Sequence, residues 1–128
     1  LKTIIRGANA PFQDLIGSMK EFMGLYVTAL ANEKNVLEAD YGVLIKGRKE
    51  TEPTGVVLAN SILAEKNAVL ASRVKSVNQY IELLNEIGKG HQYLYDHMDK
   101  LSDKEVLSAM LNYAQKITQI YSAIQALK

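Results

Sequence analysis

The sequence predicts an all-α fold: an antiparallel three-helix bundle in which two long helices form a coiled-coil-like hairpin and a shorter third helix packs beside them. Three observations carry this reading. Apolar pairs recur every seven residues over 12–44, as Leu15-Ile16, Phe22-Met23, Ala29-Leu30, Val36-Leu37 and Val43-Leu44. The repeat returns in Ile62-Leu63, Val69-Leu70, Val77 and Leu83-Leu84. A capping box, Ser102-Asp103-Lys104-Glu105, then precedes a third apolar run. A helix turns once per ~3.6 residues, so a seven-residue repeat keeps one stripe facing one partner.

Residues 1–10 contain Ile4 and Ile5 but also Gly7, with no sustained period, and read as a loosely packed lead-in. Asn9 is a cap candidate and Pro11 suits a first turn, where its missing N–H costs nothing. Helix 1 is therefore expected over about 9–47. Gly47 through Thr54, with Pro53, reads as a turn.

Helix 2 is expected over 53–100. Beside its main stripe runs a second line, Ala59, Lys66, Arg73, Tyr80, Ile87, Leu94 and Leu101. Gly88 and Gly90 interrupt it, each costing ~1 kcal/mol relative to alanine. The apolar phase survives them through Leu84, Ile87, His91, Leu94, Met98 and Leu101. A reversal would have no reason to keep phase, so a kinked but continuous helix is expected rather than a break. In the capping box each of Ser102 and Glu105 satisfies an orphan N–H of helix 3, expected over 103–127. Its inner face should carry Val106, Leu107, Met110, Tyr113, Ala114, Ile117, Ile120, Tyr121, Ile124 and Leu127. The whole chain, 1–128, reads as a single helical-bundle domain.

Composition narrows the function classes. With 15 basic and 14 acidic residues the net charge is +1, so no global field favours nucleic acid. Cysteine is absent, which removes disulfides and thiolate chemistry. No apolar run approaches the ~20 residues a membrane span requires, so no stable membrane insertion is expected.

Catalytic and metal-binding motifs are missing too. The Glu-x-x-His spacing of di-iron bundles does not occur, and His91 and His97 are six apart, off a common helical face. Gly88-Lys89-Gly90 lacks the spacing and the Ser/Thr of a phosphate loop, and there is no Gly-x-Ser-x-Gly elbow. No catalytic residue, metal ligand or cofactor is expected, and an enzyme is the least expected outcome. His91 and Tyr95, in a stretch rich in polar and aromatic residues, are the only candidates for a small pocket. A core-edge histidine and snorkelling aromatics explain that stretch as well.

Two features of the hairpin stand out. Antiparallel pairing brings Glu33 and Asp40 of helix 1 level with Arg73 and Lys66 of helix 2, an expected interhelix polar layer that sets register rather than binding a ligand. A small-residue line, Gly17, Gly24 and Ala31, offers either close helix approach or solvent-facing glycines. Helix 3, at about 25 residues or ~38 Å, is too short to cover both long helices. A bare two-helix arm would leave Val36, Val43, Ile45, Val57 and Val69 part-exposed as a partner surface. The function expected is a non-enzymatic helical interaction or scaffold module that self-associates as a homodimer or docks on a helical partner. The alternative is a ligand-sensing extracytoplasmic helical bundle. Such a bundle needs both termini at one end, whereas these lengths put them at different heights.

Overall fold

The computed structural model describes residues 2–48 and 53–127, without the side chains of residues 47 and 48. It is all-α, with three α-helices and no strand among the described residues. Helix α1 runs Lys2–Arg48, α2 Pro53–Asp96 and α3 Asp103–Leu127. A single 3-10 turn, Met98–Lys100, lies between α2 and α3. The two long helices pack closely, and the shorter third packs less. The centre of the expected turn, including Lys49, Glu50 and Glu52, lies outside the described residues; Pro53 opens α2 as expected.

The start of α1 corrects the sequence reading. The helix begins at Lys2, so Asn9 is no cap and Pro11 lies inside the helix. An interior proline removes one backbone bond and crowds the carbonyl four residues back, at a cost of ~3 kcal/mol. Tertiary contacts hold this first stretch of α1 in place. Ile5 is buried with Met98 and Val106, Lys2 Nζ donates to the Leu101 carbonyl at 2.7 Å, and Arg6 meets Asp99 at 2.7 Å.

The chain forms two compact units, Leu1–Met23 with Gln79–Lys128, and Gly24–Asn78. Unit 1 takes helical segments from α1, α2 and α3. Its core holds Ile16, Met19 and Met23 from α1, Leu84, Ile87, His91 and Leu94 from α2, and Val106, Ile120 and Ile124 from α3. On α3, Met110, Tyr113, Ile117 and Leu127 are half-buried, whereas Leu107, Ala114 and Tyr121 face solvent, which narrows the expected face.

Helix α2 passes through Gly88 and Gly90 unbroken, and neither adopts positive φ. Close approach explains both. A Cβ on Gly88 would sit 3.3 Å from Gln13 Oε1, and one on Gly90 would overlap the Tyr113 ring, 2.7 Å from its Cζ. The helix stops at Asp96, short of the expected residue 100, but Met98 in the 3-10 turn keeps the buried phase. Ser102 caps α3, its Oγ accepting the Glu105 N–H at 3.1 Å. Only this half of the capping box forms among the described residues.

Among the described residues unit 2 contains two helical segments and no third. Its buried side chains are Leu30, Leu70 and Val77.

Candidate functional site

Within the first four apolar pairs of α1 the second member faces inward, whereas in the fifth Leu44 is itself 48% exposed. Ile16, Met23 and Leu30 are buried and Leu37 half-buried, while Leu15, Val36 and Val43 are exposed. Adjacent residues differ by ~100° around a helix, and one partner helix covers only one stripe. In unit 2 the uncovered stripe is therefore aliphatic: Val36 is 58% exposed, Val43 74% and Val69 52%.

These side chains share one broad face of the hairpin. Counting ~100° per residue from inward-facing Leu30, Leu25, Val36 and Val43 lie about 120–140° round α1. By the same count from Leu70, Leu58 and Val69 lie about 100–120° round α2, in the same rotational sense along the chain. In an antiparallel pair, equal sense means the same face. Contacts agree with this geometry. Glu33 from α1 and Lys66, Val69 and Arg73 from α2 border one open groove of about 190 Å³, floored by Leu37 and Leu70. On the opposite face Asn67 Nδ2 donates to Glu38 Oε1 at 3.5 Å. That bond makes Glu38 level with Asn67, and two steps away along each helix make Val36 level with Val69.

Two members of the expected partner surface fall elsewhere. Ile45 is half-buried, lining a small depression with Leu44, Gly55, Val56 and Ala59. Val57 is exposed but sits ~100° from Leu58, off this face. Leu25 and Leu58, exposed on the face, take their places; the signal was their spacing of eleven from Val36 and Val69.

The polar layer is also corrected. Glu33, Asp40, Lys66 and Arg73 are all exposed, and no salt bridge joins them among the described residues. Desolvating a charge costs more than an imperfect pair returns, and a two-helix arm leaves the charges free to stay in water. Acids on α1 and bases on α2 therefore flank the groove from opposite sides instead of closing across it. The line Gly17, Gly24 and Ala31 is no packing seam, because nothing approaches within 4 Å of a Cβ built at Gly17 or Gly24.

His91 and Tyr95 are not brought together. Tyr95 is exposed, while His91 is fully buried in unit 1, its ring stacked on Phe12 at 4.2 Å. The polar contacts around His91 form a chain with fixed polarity. The Asp96 carboxylate accepts from Gln92 Nε2 at 3.1 Å, and Gln92 Oε1 accepts from Asn9 Nδ2 at 3.0 Å. Asn9 Oδ1 is then an acceptor, so His91 Nδ1, 2.7 Å away, carries the proton. Gln13 supports the same assignment, its Nε2 donating to the Gly88 carbonyl at 2.9 Å and to Asn9 Oδ1 at 3.4 Å. His91 Nε2 is left as a buried lone pair without a partner among the described residues. Burial holds the His91 pKa below its usual value. An open groove of about 360 Å³ lies nearby, bordered by Gln13, Lys20, Asn85 and Lys89, but His91 does not line it.

Among the described residues no group of three or more His, Asp or Glu is placed to hold a metal ion, and no helix is long and apolar enough to cross a membrane. No protein-family model, curated protein or solved structure matches the chain.

Proposed function

We propose that this chain is a non-enzymatic helical interaction module whose contact surface is the hairpin of unit 2. The observation that carries this reading is the face bearing Leu25, Val36, Val43, Leu58 and Val69. Its aliphatic side chains are half or more exposed on a unit whose buried core is Leu30, Leu70 and Val77. Covering apolar surface contributes roughly 25 cal/mol per Å², so removing a few hundred Å² from water favours association appreciably. Unit 1 has less need of such cover, since α3 already closes its core. Self-association and docking on a helical partner both use the same surface.

Sedimentation velocity across a concentration range, alone and with source-cell extract, tests the reading. Val36→Glu and Val69→Glu should weaken whatever association the parent shows while helix content is retained. Association of those variants at parental strength, with Leu107→Glu or Leu111→Glu on α3 abolishing it, would move the interface to unit 1.

A further inference from the structure

We propose that the first turns of α1, residues 2–10, form an acid-released strap, hinged at Pro11 and latched on His91, whose lifting uncovers the apolar patch made by Met98 and Val106. The strap lies wholly within unit 1 and stands independently of the hairpin reading. Pro11 has no N–H to give the Gly7 carbonyl, so one rung of the helical ladder is missing where strap meets shaft. What holds the strap is tertiary. Ile5 packs on Met98 and Val106, Lys2 Nζ donates to the Leu101 carbonyl, and Arg6 pairs with Asp99. Asn9, nearest the hinge, bonds His91 and Gln92. So short a helix is marginal in water without such contacts. Beyond the hinge the core keeps its own buried residues, Ile16, Met23, Leu84, Ile120 and Ile124.

The latch works only with a neutral ring. His91 is fully buried, its Nδ1–H donates to Asn9 Oδ1, Phe12 stacks on the ring, and Nε2 meets no acceptor among the described residues. A second proton must enter at Nε2, making a buried cation with an unmet donor, and both are costly. No carboxylate is placed to compensate. On α2, Glu86, Lys89 and Asp96 fall about 140–160° round the helix from His91, and His97 bonds the Tyr93 carbonyl. On α1, Asp14 is exposed and about 140–160° from both Asn9 and Phe12, while Lys2 and Arg6 are cations. The 3-10 turn brings Asp99, which pairs with Arg6 at the surface. From α3 come Tyr113, whose ring lies over Gly90, and half-buried Lys116; its acids, Asp103 and Glu105, are exposed in its first turn. Protonation is therefore met by letting water reach the ring, and the contact that yields is the one beside the missing rung.

Hydrogen–deuterium exchange of the full chain at pH 7 and pH 5, each corrected for intrinsic rates, reads the strap directly. Amides of residues 6–10 should exchange about tenfold or more faster at pH 5, while those of 16–23 and 106–124 change far less. His91→Gln removes the titrating ring, keeps an amide donor for Asn9, and should leave residues 6–10 exchanging alike at both pH values. Asn9→Asp sets a carboxylate against the imidazolium and should keep residues 6–10 protected at pH 5. That variant decides the matter alone should His91→Gln fail to fold. Exchange that rises evenly across unit 1 would mean global unfolding and no strap. An unchanged rate at 6–10 would equally overturn the proposal. So would a rise that His91→Gln or Asn9→Asp leaves in place, which would assign the titration to another group such as His97.

Discussion

His91 Nδ1–H donates a hydrogen bond to Asn9 Oδ1 across 2.7 Å, between α2 and α1. Every group in the chain behind Asn9 is oriented by an obligate acceptor, the Asp96 carboxylate or the Gly88 carbonyl. The bond therefore has one direction, and His91 is held as a neutral Nδ1–H tautomer with its Nε2 buried and unpaired among the described residues.

Stability should consequently fall in mild acid. The folded-state pKa of His91 is lowered by burial, so the unfolded chain binds the proton more readily. Stability contributed by the neutral ring is fully present above the ordinary histidine range near 6.5 and is lost as pH drops through the window below it. The slope from this one group is at most about 1.4 kcal/mol per pH unit. As acid is added from neutral pH to pH 5, the urea midpoint of the parent should fall relative to that of His91→Leu. Parallel pH profiles would mean that His91 titrates normally in the folded chain.

Two glycine substitutions should act in opposite directions. Gly24→Ala meets nothing within 4 Å and should stabilise the helix by roughly 0.5–1 kcal/mol through backbone entropy and propensity. Gly90→Ala drives a methyl into the Tyr113 ring and should destabilise, with Tyr113→Ala relieving part of the loss. Thermal denaturation of the four variants checks the pattern, and a stabilising Gly90→Ala would refute the close approach.

Ser102→Ala should cost about 0.5–2 kcal/mol, because the Glu105 N–H loses its acceptor at the first turn of α3. Ser102→Asp should retain most of the stability, since a carboxylate caps as well. Chemical denaturation of both variants distinguishes a cap from a mere surface serine.

The seven-residue repeat made the helices and their pairing legible, because burial on one stripe leaves a periodic trace in sequence. The same logic reached further than local signals allowed. Ile5 stands seven before Phe12 and Asn9 seven before Ile16, so the phase already ran through the lead-in. Asn9-x-Pro11 read as a start only because caps and prolines are judged locally, whereas Ile5, Lys2 and Arg6 are held by residues some ninety positions away. Which half of each apolar pair faced the partner was not readable, since both members are apolar and only one stripe is covered. Matching signs at Glu33, Asp40, Lys66 and Arg73 suggest an ion-pair layer, but sign alone could not reveal that a two-helix arm leaves these charges exposed to solvent. The polarity of the His91 chain required coordinates, because it depends on contacts spanning 82 and 83 residues.

The most direct measurement places a photo-crosslinking residue at Val69 in one variant and at Leu111 in another, both exposed positions on different units. Position 69 should form a defined crosslink to a protein, either a second copy or a helical partner, and Val36→Glu in the same chain should suppress it. Crosslinks formed from position 111 and absent from position 69 would contradict the claim that the hairpin face is the contact surface.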